Sequence, residues 1–461
     1  DHPNVIYEED PSILNLIGNV GFENKNGSYD TNINFIKAGS LLKANEGCLI
    51  VKADSILDNR FSYYYLKKVL TTGKLDFVNL NNYYDLLLLN GLKPQPINVD
   101  VKVIMIGNYE TFNLLYNYDY DYKKIFKVRT GYDPNVDIND KNKKALVENI
   151  ILICMQHGYR KVTDGGIKLI AKYLSSLAES RNKYYYDDNE IDRILTFSDN
   201  AASKRDKDEI DKCDIESVIH SKKFIENEVI ENYSDKKILL KLNGNSIGQV
   251  NGLSVIEGGD FVFGKPFRVT CSCFKGSGNI IDVHKENNLS GNIHSMSISI
   301  LKGYLERLNS SYLKLPVDFN LSFEQVYGKV EGDSASVAEV ISMISALSRI
   351  PVKQNIAVTG SINQFGEIQP IGGVNIKIEG FYKICKSLSD CKDKGVLIPS
   401  SNIDSLVLSD EIEEDVKKGN FHIYSMKNVD DAVSTLMTDK DVSLDDVKMR
   451  ISKEIKKYTD K

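Results

Sequence analysis

Hydrophobic and polar positions repeat differently in three stretches of the chain. Residues 1 to about 135 alternate short apolar runs, at 48–51 and 101–106, with a helix-like apolar face over 61–70. A short apolar run is typical of a buried strand, and apolar positions three and four apart are typical of a helix. Strands that alternate with helices favour a parallel sheet, so residues 1–135 predict an α/β domain.

The next stretch, from about 136 to 235, is helical in pattern. Apolar positions recur at helical spacing over 145–155 and over 167–177, and residues 204–214 are rich in charge. A charged run of this kind is typical of a solvated helix or connector. Residues 136–235 therefore predict a small α-helical domain with a connector.

From about residue 236 onward, strand and helix patterns are mixed. Strand-like runs occur at 238–240, 267–271 and 280–283, with a Gly-rich turn at 276–278 and a helical pattern over 294–308. Residues 236–440 thus predict an α+β domain. Residues 441–461 alternate charged and apolar positions and fit either a terminal helix or a frayed tail. The predicted fold class is multidomain: α/β, then α-helical, then α+β.

Composition excludes several classes of protein. The 461 residues are 42% hydrophobic and 26% charged, and the net charge of −6 gives no reason to expect a nucleic-acid partner. No apolar run approaches the roughly 20 residues of a membrane span, and residues 1–4 lack the features of a secretory signal. Seven cysteines, an odd number, fit reduced thiols. We expect a cytoplasmic protein without a membrane partner.

One group of residues resembles a metal site. Cys271 and Cys273 are a close pair, and His284 and His294 follow in the sequence. Their spacing matches no zinc pattern, so a strand with small buried residues is favoured and no metal is expected. The scattered histidines leave a His-based triad open without indicating one.

Two segments carry candidate chemistry. Residues 331–336 read EGDSAS, and apolar positions at 337, 340, 341, 344 and 347 predict a helix that begins close to Ser334. A helix N-terminus presents unpaired N–H groups, which suits an oxyanion hole, although an N-cap serine is the ordinary interpretation. Lys377 follows the Gly372-Gly373 turn beside the apolar face of a second predicted helix. Burial would lower its pKa and make it a base, whereas a surface lysine lying over apolar neighbours is the alternative.

The order of motifs resembles a known family. From about residue 241 to 433 the chain closely resembles the proteolytic domain of the Lon-type serine proteases. The matching segments, in family order, are 250–253 (VNGL), 289–294 (LSGNIH), 323–328 (FEQVYG), 331–336 (EGDSAS), 357–362 (AVTGSI), 370–377 (PIGGVNIK) and 395–399 (GVLIP).

This resemblance implies a Ser-Lys dyad. Ser334 is then the nucleophile and Lys377 the general base, with Thr359 supporting the lysine through a hydrogen bond and backbone N–H groups near Ser334 binding the oxyanion. Asp333 is expected either to orient the dyad or to block it in a resting form, and Glu331 belongs to the same supporting segment. The EGDSAS sequence differs from the Asp-Gly-Pro-Ser-Ala-Gly of common bacterial members and looks more like the archaeal-type and Lon-like branches.

Another departure lies beside the lysine. Ile376 stands where a glutamate often precedes the lysine. This difference bears on one contact around the dyad and not on the dyad itself.

The N-terminal 200 residues resemble the AAA+ ATPase module of the same branch. Residues 36–51 align with the segment leading into the Mg²⁺-binding strand, where an active module has Asp-Glu; this chain has Lys52 and Ala53. Asp54 is one residue further on, and a shift of one residue along a strand changes the face. Asn108 is open to two interpretations, a polar sensor or a turn residue.

A phosphate-binding loop is also missing from the sequence. No Gly-x-x-x-x-Gly-Lys-Ser/Thr occurs, so such a loop either lies upstream of Asp1 or does not exist. We predict a degenerate or truncated ATPase domain that acts as a scaffold and gate. ATP and Mg²⁺ are expected to bind only if this module is functional, and peptide hydrolysis is expected to need no cofactor.

The leading hypothesis is a Lon-like serine endopeptidase that degrades unfolded or loosely folded proteins without ATP hydrolysis. The resemblance implies a homo-oligomer, a hexameric ring with the active sites facing an inner chamber. Two alternatives remain: an ATP-dependent protease whose phosphate loop lies upstream, and a non-proteolytic ring chaperone or adaptor.

Overall fold

Two compact units make up the structure. The computed structural model describes residues 4–21, 23–25, 28–30, 32–77, 95–219, 224–258, 261–308, 314–438 and 442–459. The units divide between Tyr132 and Asp133. Because each unit has its own hydrophobic core, each is described by itself.

The first unit is an α/β arrangement. Its strands are β1 (Val5–Glu8), β2 (Gly18–Val20), β3 (Glu23–Lys25), β4 (Ser28–Asp30), β5 (Ile36–Ala38), β6 (Cys48–Lys52), β7 (Lys74–Leu75), β8 (Ile97–Asn98) and β9 (Lys102–Ile106). Its helices are α1 (Ile13–Ile17), α2 (Ser40–Lys43), α3 (Ala53–Asp58), α4 (Arg60–Thr72), α5 (Tyr109–Tyr118) and α6 (Tyr122–Ile125). The main sheet is parallel, in the order β1-β6-β9. Leu49 and Val51 of β6 are fully buried against the helices, since alternate residues of a strand face the same side.

The second unit begins with a helical segment. Its helices are α7 (Asp140–His157), α8 (Asp164–Leu177), α9 (Asp188–Lys204), α10 (Lys212–Ile219) and α11 (Phe224–Ser234), and its short strands are β10 (Asn135–Asp137), β11 (Lys161–Val162), β12 (Lys183–Tyr185) and β13 (Glu209–Ile210). The apolar positions of α7, α8 and α9 form one core. Side chains of Asn139 and Thr163 cap α7 and α8 by accepting backbone N–H groups, which explains where these helices begin.

A mixed sheet with helices on both faces follows. Its strands and short side ladders are β14 (Asn245–Ser246), β15 (Gln249–Gly258), β16 (Phe261–Lys275), β17 (Ile280–Asp282), β18 (Val317–Glu324), β19 (Val352–Lys353), β20 (Ile356–Val358), β21 (Ser361–Ile362), β22 (Ile368–Gln369), β23 (Lys394–Pro399) and β24 (Phe421–Met426). The helices are α12 (Val283–Glu286), α13 (Asn292–Leu308), α14 (Ser336–Ser348), α15 (Val374–Leu388), α16 (Asp410–Lys417), α17 (Val429–Leu436) and α18 (Leu444–Thr459). The strand order is β17-β18-β16-β15-β20-β23-β24.

The two faces of this sheet carry different helices. Neighbouring residues of β23, Val396 and Leu397, belong to two different cores, as expected for side chains that alternate across a strand. Helix α14, whose residues are all buried, packs in the core of Leu397, and α15 packs in the core of Val396. A contact between the starts of α14 and α15 must therefore form at the end of the sheet.

Most predicted elements agree with the structure, and one is wrong. The helical patterns at 61–70, 145–155, 167–177 and 294–308 lie within α4, α7, α8 and α13. Residues 238–240 were predicted as a strand but form none. The Leu239 N–H donates to the Gln325 side chain, 2.7 Å away, instead of a neighbouring strand, while Ile238 and Leu240 still pack in a core.

The C-terminal stretch forms a helix rather than a tail. Val447, Ile451 and Ile455 of α18 are buried in the same core as α14. None of the described helices is long and apolar enough to cross a membrane.

Candidate active site

Ser334 lies two residues before α14. The preceding Gly332 adopts a left-handed backbone, with φ of 91°, which glycine accepts at low cost. The Ser334 carbonyl accepts hydrogen bonds from the Gly360 N–H at 2.8 Å and from Thr359 Oγ1 at 3.2 Å. Among the described residues, the backbone N–H groups of Ser334 and Ala335 have no hydrogen-bond partner. They are therefore free to bind an incoming oxygen atom.

Lys377 lies in the first turn of α15. Gly373 caps this helix with φ of 69°, again a left-handed backbone. The lysine is only 3% exposed, because it lies among the apolar residues that anchor α15 to the sheet. The predicted alternative of a surface lysine is thus wrong.

The two side chains meet at the end of the sheet. Lys377 Nζ lies 3.0 Å from Ser334 Oγ and 3.3 Å from Thr359 Oγ1. Burial lowers the pKa of the Lys377 amine to about 8, against the smaller opposing effects of the Glu179 and Asp333 carboxylates. A lysine with a pKa this low has a substantial neutral fraction near pH 7 to 8 and can accept a proton.

Thr359 joins the two helices. It follows β20 and is fully buried. Its hydroxyl accepts from Lys377 and donates to the Ser334 carbonyl, so both hydrogen-bonding directions are used. The structure therefore places the Thr359 hydroxyl within hydrogen-bond distance of the Lys377 amine.

Asp333 and Glu331 hold the loop instead of touching the lysine. Asp333 Oδ2 accepts from Ser361 Oγ at 2.7 Å, and its carbonyl accepts the Ser336 N–H at 3.0 Å. Glu331 Oε1 accepts the Ile293 N–H at the start of α13, 3.0 Å away. Both contacts tie the Ser334 loop to neighbouring segments.

The end of β6 in the first unit has a different character. Lys52, the last residue of the strand, is exposed, and Ala53 is buried at the start of α3. Asp54 accepts from Thr111 Oγ1 at 3.0 Å, and Asn108 caps α5 by accepting the Thr111 N–H. Asn108 is therefore the N-cap of a helix in this structure, at the end of the strand beside β6.

Two family models match the first unit and part of the second. The family model "LonB-like, AAA domain" matches residues 1–133, and "Lon protease (S16) C-terminal proteolytic domain" matches residues 224–439. The chain belongs to the Lon protease family. The family resemblance and the mixed fold class predicted from the sequence are confirmed.

Similar proteins occur in bacteria and archaea. Putative Lon protease homologs of Haemophilus influenzae and Escherichia coli are 30% and 28% identical over 86% and 87% of this chain. An Archaeal Lon protease of Thermococcus kodakarensis is 25% identical over 76% of the chain. The chain spans 66% and 68% of the length of the two bacterial relatives and 53% of the archaeal one.

A buried acidic cluster beside α14 was missed by the sequence analysis of this Lon family chain. His294 Nε2 lies 3.1 Å from Asp282 Oδ2, and His294 Nδ1 lies 3.7 Å from Glu339 Oε1. Burial raises the pKa of the Glu339 carboxyl to about 7. Burial lowers the pKa of His294, but the hydrogen bond to Asp282 and the charge of Glu339 outweigh it and raise the pKa.

This cluster is a structural neighbour of the dyad and not a His-based triad. Ser297, one turn after His294 on α13, shares a 2.6 Å hydrogen bond with Ser336. Among the described residues, the side-chain partner of Ser334 Oγ is Lys377 and no histidine. The sequence signal was weak, since Asp282, His294 and Glu339 come from three separate elements.

Two of the suspected metal ligands have an aromatic contact in the structure. His284 and His294 both pack on the ring of Phe323. Within the described parts of the chain, no group of three or more His, Cys, Asp or Glu side chains could hold a metal ion.

Proposed function

We propose that the chain is a peptidase in which Ser334 is the nucleophile and Lys377 the general base. The observation that carries this proposal is the 3.0 Å contact between Lys377 Nζ and Ser334 Oγ, made by a buried amine. A base must lie within hydrogen-bond reach of the proton it removes and have a pKa near the working pH. Lys377, whose pKa is about 8, meets both conditions.

The first step forms an ester. The neutral Lys377 amine takes the Ser334 hydroxyl proton as Oγ attacks the carbonyl carbon of the peptide bond. The negative charge moves to the carbonyl oxygen, giving a tetrahedral intermediate. The free backbone N–H groups of Ser334 and Ala335 are the candidates to bind this oxyanion.

Collapse of the intermediate releases the first product. The protonated Lys377 gives its proton to the leaving amine nitrogen, the C–N bond breaks, and the acyl group stays on Ser334 Oγ. Lys377, neutral again, then takes a proton from water as the water oxygen attacks the ester carbon, giving a second tetrahedral intermediate. The bond between that carbon and Ser334 Oγ breaks, Lys377 returns the proton to Ser334 Oγ, and the second product leaves as a carboxylic acid. Thr359 holds the amine in place through both half-reactions by its contact with Nζ.

Asp333 and Glu331 take supporting roles in this proposal. Since both carboxylates bind loop or helix groups, they position Ser334 by fixing the segment before α14. Asp333 orients the nucleophile through the loop. The blocking role considered from the sequence would require a direct contact with Lys377, and Asp333 is instead bonded to Ser361.

Peptide hydrolysis needs no cofactor in this scheme, because every proton transfer is made by the chain's own groups. We further propose that the first unit hydrolyses no ATP. Exposed Lys52 and buried Ala53 occupy the positions where an active module has an acidic pair, and a lysine cannot ligate Mg²⁺. Loss of this pair supports a scaffold and gate in place of a motor.

The substrates we propose are unfolded or loosely folded proteins. The family resemblance supports a cytoplasmic homo-oligomer, a hexameric ring, whose inner chamber admits extended chains and excludes folded ones. Specificity then arises mainly from access to the dyad.

Degradation of an unfolded, fluorescently labelled protein tests the proposal. The parent chain is expected to cleave it with or without Mg-ATP, and Ser334→Ala to abolish cleavage while leaving assembly and substrate binding intact. Ser299→Ala, which removes an exposed hydroxyl on α13, is the matched control and should cleave like the parent.

Three other outcomes would contradict the proposal. Cleavage by Ser334→Ala would refute the nucleophile. Cleavage that begins only with ATP would favour an ATP-dependent protease, and binding without any cleavage would favour a chaperone or adaptor.

A further inference from the structure

A turn of the helical segment reaches the helix that carries Lys377. Glu179 lies just after α8, and its carboxylate Oε1 accepts the N–H of Gly373 at 2.7 Å. The two residues are 194 positions apart in the chain. Gly373 is the N-cap of α15, and Lys377 lies in the first turn that follows.

Glu179 adopts a backbone conformation that is costly for its residue type. Its φ is 46°, in the left-handed region where glycine and asparagine are preferred. Such a conformation is unfavourable for a non-glycine residue, and it persists only where surrounding contacts hold it. The unfavourable backbone conformation of Glu179 is therefore offset by contacts such as the hydrogen bond from Gly373 to its carboxylate.

Other bonds fix the same turn to the loop beside α15. Arg181 N–H donates to the Asp404 carbonyl at 3.0 Å, and Arg181 Nε donates to the Leu406 carbonyl at 2.8 Å. Asn375 of α15 binds this loop from the other side, through the Ser405 carbonyl and the Val407 N–H. The turn that contains Glu179 and the start of α15 are thus both hydrogen-bonded to residues 404–407.

Few charges face the Lys377 amine. The carboxylates that act on it are Glu179, from the helical segment, and Asp333, from the loop before α14, and both raise the pKa that burial has lowered. Lys265 of β16 and Glu379 of α15 lie on packed neighbouring segments without a comparable effect on the amine. The carboxylate of Glu179 also lies at the positive end of the α15 dipole, which favours a negative charge there.

We propose that Glu179 is a positioning residue for Lys377: it holds the first turn of α15 and places a negative charge near the amine. This inference rests on the proposed role of Lys377 as the base. Because Glu179 belongs to the helical segment, a displacement of that segment would change both the position and the protonation of the lysine. The helical segment would in this way adjust the chemistry at Lys377, which lies in the part of the chain that forms the mixed sheet and its helices.

Three variants of the full chain separate the two effects. Glu179→Gln keeps an acceptor for the Gly373 N–H and removes the charge, whereas Glu179→Ala removes both. Glu413→Gln is the matched control, since Glu413 pairs with Lys172 across the same two segments at 2.6 Å and does not act on Lys377. The readout is the pH profile of kcat/KM on a short fluorogenic peptide.

Loss of the nearby negative charge makes protonated Lys377 less stable, so the neutral base persists to lower pH. For Glu179→Gln we expect the acid limb to move to lower pH. At one pH unit below the parent midpoint, kcat/KM is expressed as a fraction of the plateau value of each enzyme. This fraction should be about threefold larger for Glu179→Gln than for the parent. Glu179→Ala should show the same shift and a lower plateau kcat. Glu413→Gln should keep the parent profile.

A second measurement does not depend on cleavage. Trace acetylation of the Lys377 amine, followed over pH by mass spectrometry in the Ser334→Ala background, reports its titration directly. The midpoint should be lower when Glu179→Gln is added. An unchanged midpoint in both measurements would overturn the inference while leaving the dyad intact. If the labelling midpoint shifts but the parent chain with Ser334 cleaves no peptide, the proposed function is refuted and the effect of Glu179 on Lys377 is retained.

Discussion

Two strands that each lie in parallel pairings, β20 and β6, differ in the side chains found at their ends. Each strand lies between two parallel neighbours, β20 between β15 and β23 and β6 between β1 and β9. At the end of β20, buried Thr359 contacts both Ser334 and Lys377. At the end of β6, Lys52 is exposed and, among the described residues, forms no ion pair.

Under the proposed function, this difference means that a strand end becomes a reactive site only where other segments converge on it. Two helices on opposite faces of the sheet bring Ser334 and Lys377 to Thr359, and burial then lowers the pKa of the amine. At β6 the neighbouring polar residues, Asp54 and Asn108, both bond Thr111 and help to hold α5. The same topology thus carries the proposed dyad in one unit and helix capping in the other.

The largest expected effect is at the lysine itself. Lys377→Met keeps the length and the apolar stem but removes the base, so cleavage should fall by about a thousandfold or more. Thermal stability should stay the same or rise, because a buried amine is replaced by an apolar group. Lys394→Met is the control: Lys394 is also buried but donates to Asn243 at 2.7 Å. Equal losses of cleavage in both variants would assign Lys377 a structural role.

The pH profile should show the next largest effect. The lysine must be neutral to accept the serine proton, so kcat/KM is expected to rise with pH through a midpoint of about 8. Below the midpoint, activity should fall about tenfold per pH unit. Peptide cleavage between pH 5 and 9 measures this. A profile that is flat across pH 7 to 9 would mean that the amine does not act as the base.

Thr359 tests the geometry at the end of β20. Thr359→Val keeps the shape of the side chain and removes the hydroxyl that bonds Lys377 and the Ser334 carbonyl. The expected loss in kcat is about tenfold, as for one or two hydrogen bonds. Thr359→Ser should restore most of it. If the serine variant is no better than the valine variant, the hydroxyl contributes nothing to catalysis and Thr359 acts only through packing.

The smallest effect is expected in the first unit. Lys52→Ala should leave cleavage unchanged, and neither Mg-ATP nor a chelator should alter the rate in the parent or the variant, since no acidic pair is present at this strand end to hold a metal. Parallel assays of peptide cleavage and phosphate release measure this. Phosphate release that depends on the parent chain would show a working ATPase and make the two strand ends more alike than proposed.

Sequence patterns predicted the regular elements where the pattern was long. Helices α4, α7, α8, α13 and α14 follow from apolar spacing alone. The error at 238–240 came from a three-residue apolar run, because burial of Ile238 and Leu240 needs no strand partner. Glu179 and the group of Asp282, His294 and Glu339 escaped prediction, since their members are distant in sequence and follow no local spacing.

The sequence by itself determined the order of the motifs and the residue types at Ser334, Lys377, Lys52 and Ala53. The tertiary structure decided that Lys377 is buried and that its amine contacts the Ser334 hydroxyl. Only folding brings the two side chains within 3.0 Å and removes water from the amine. Hydroxyl and amine are ordinary groups along a chain, and desolvation together with contact is the physical basis of their proposed roles as nucleophile and base.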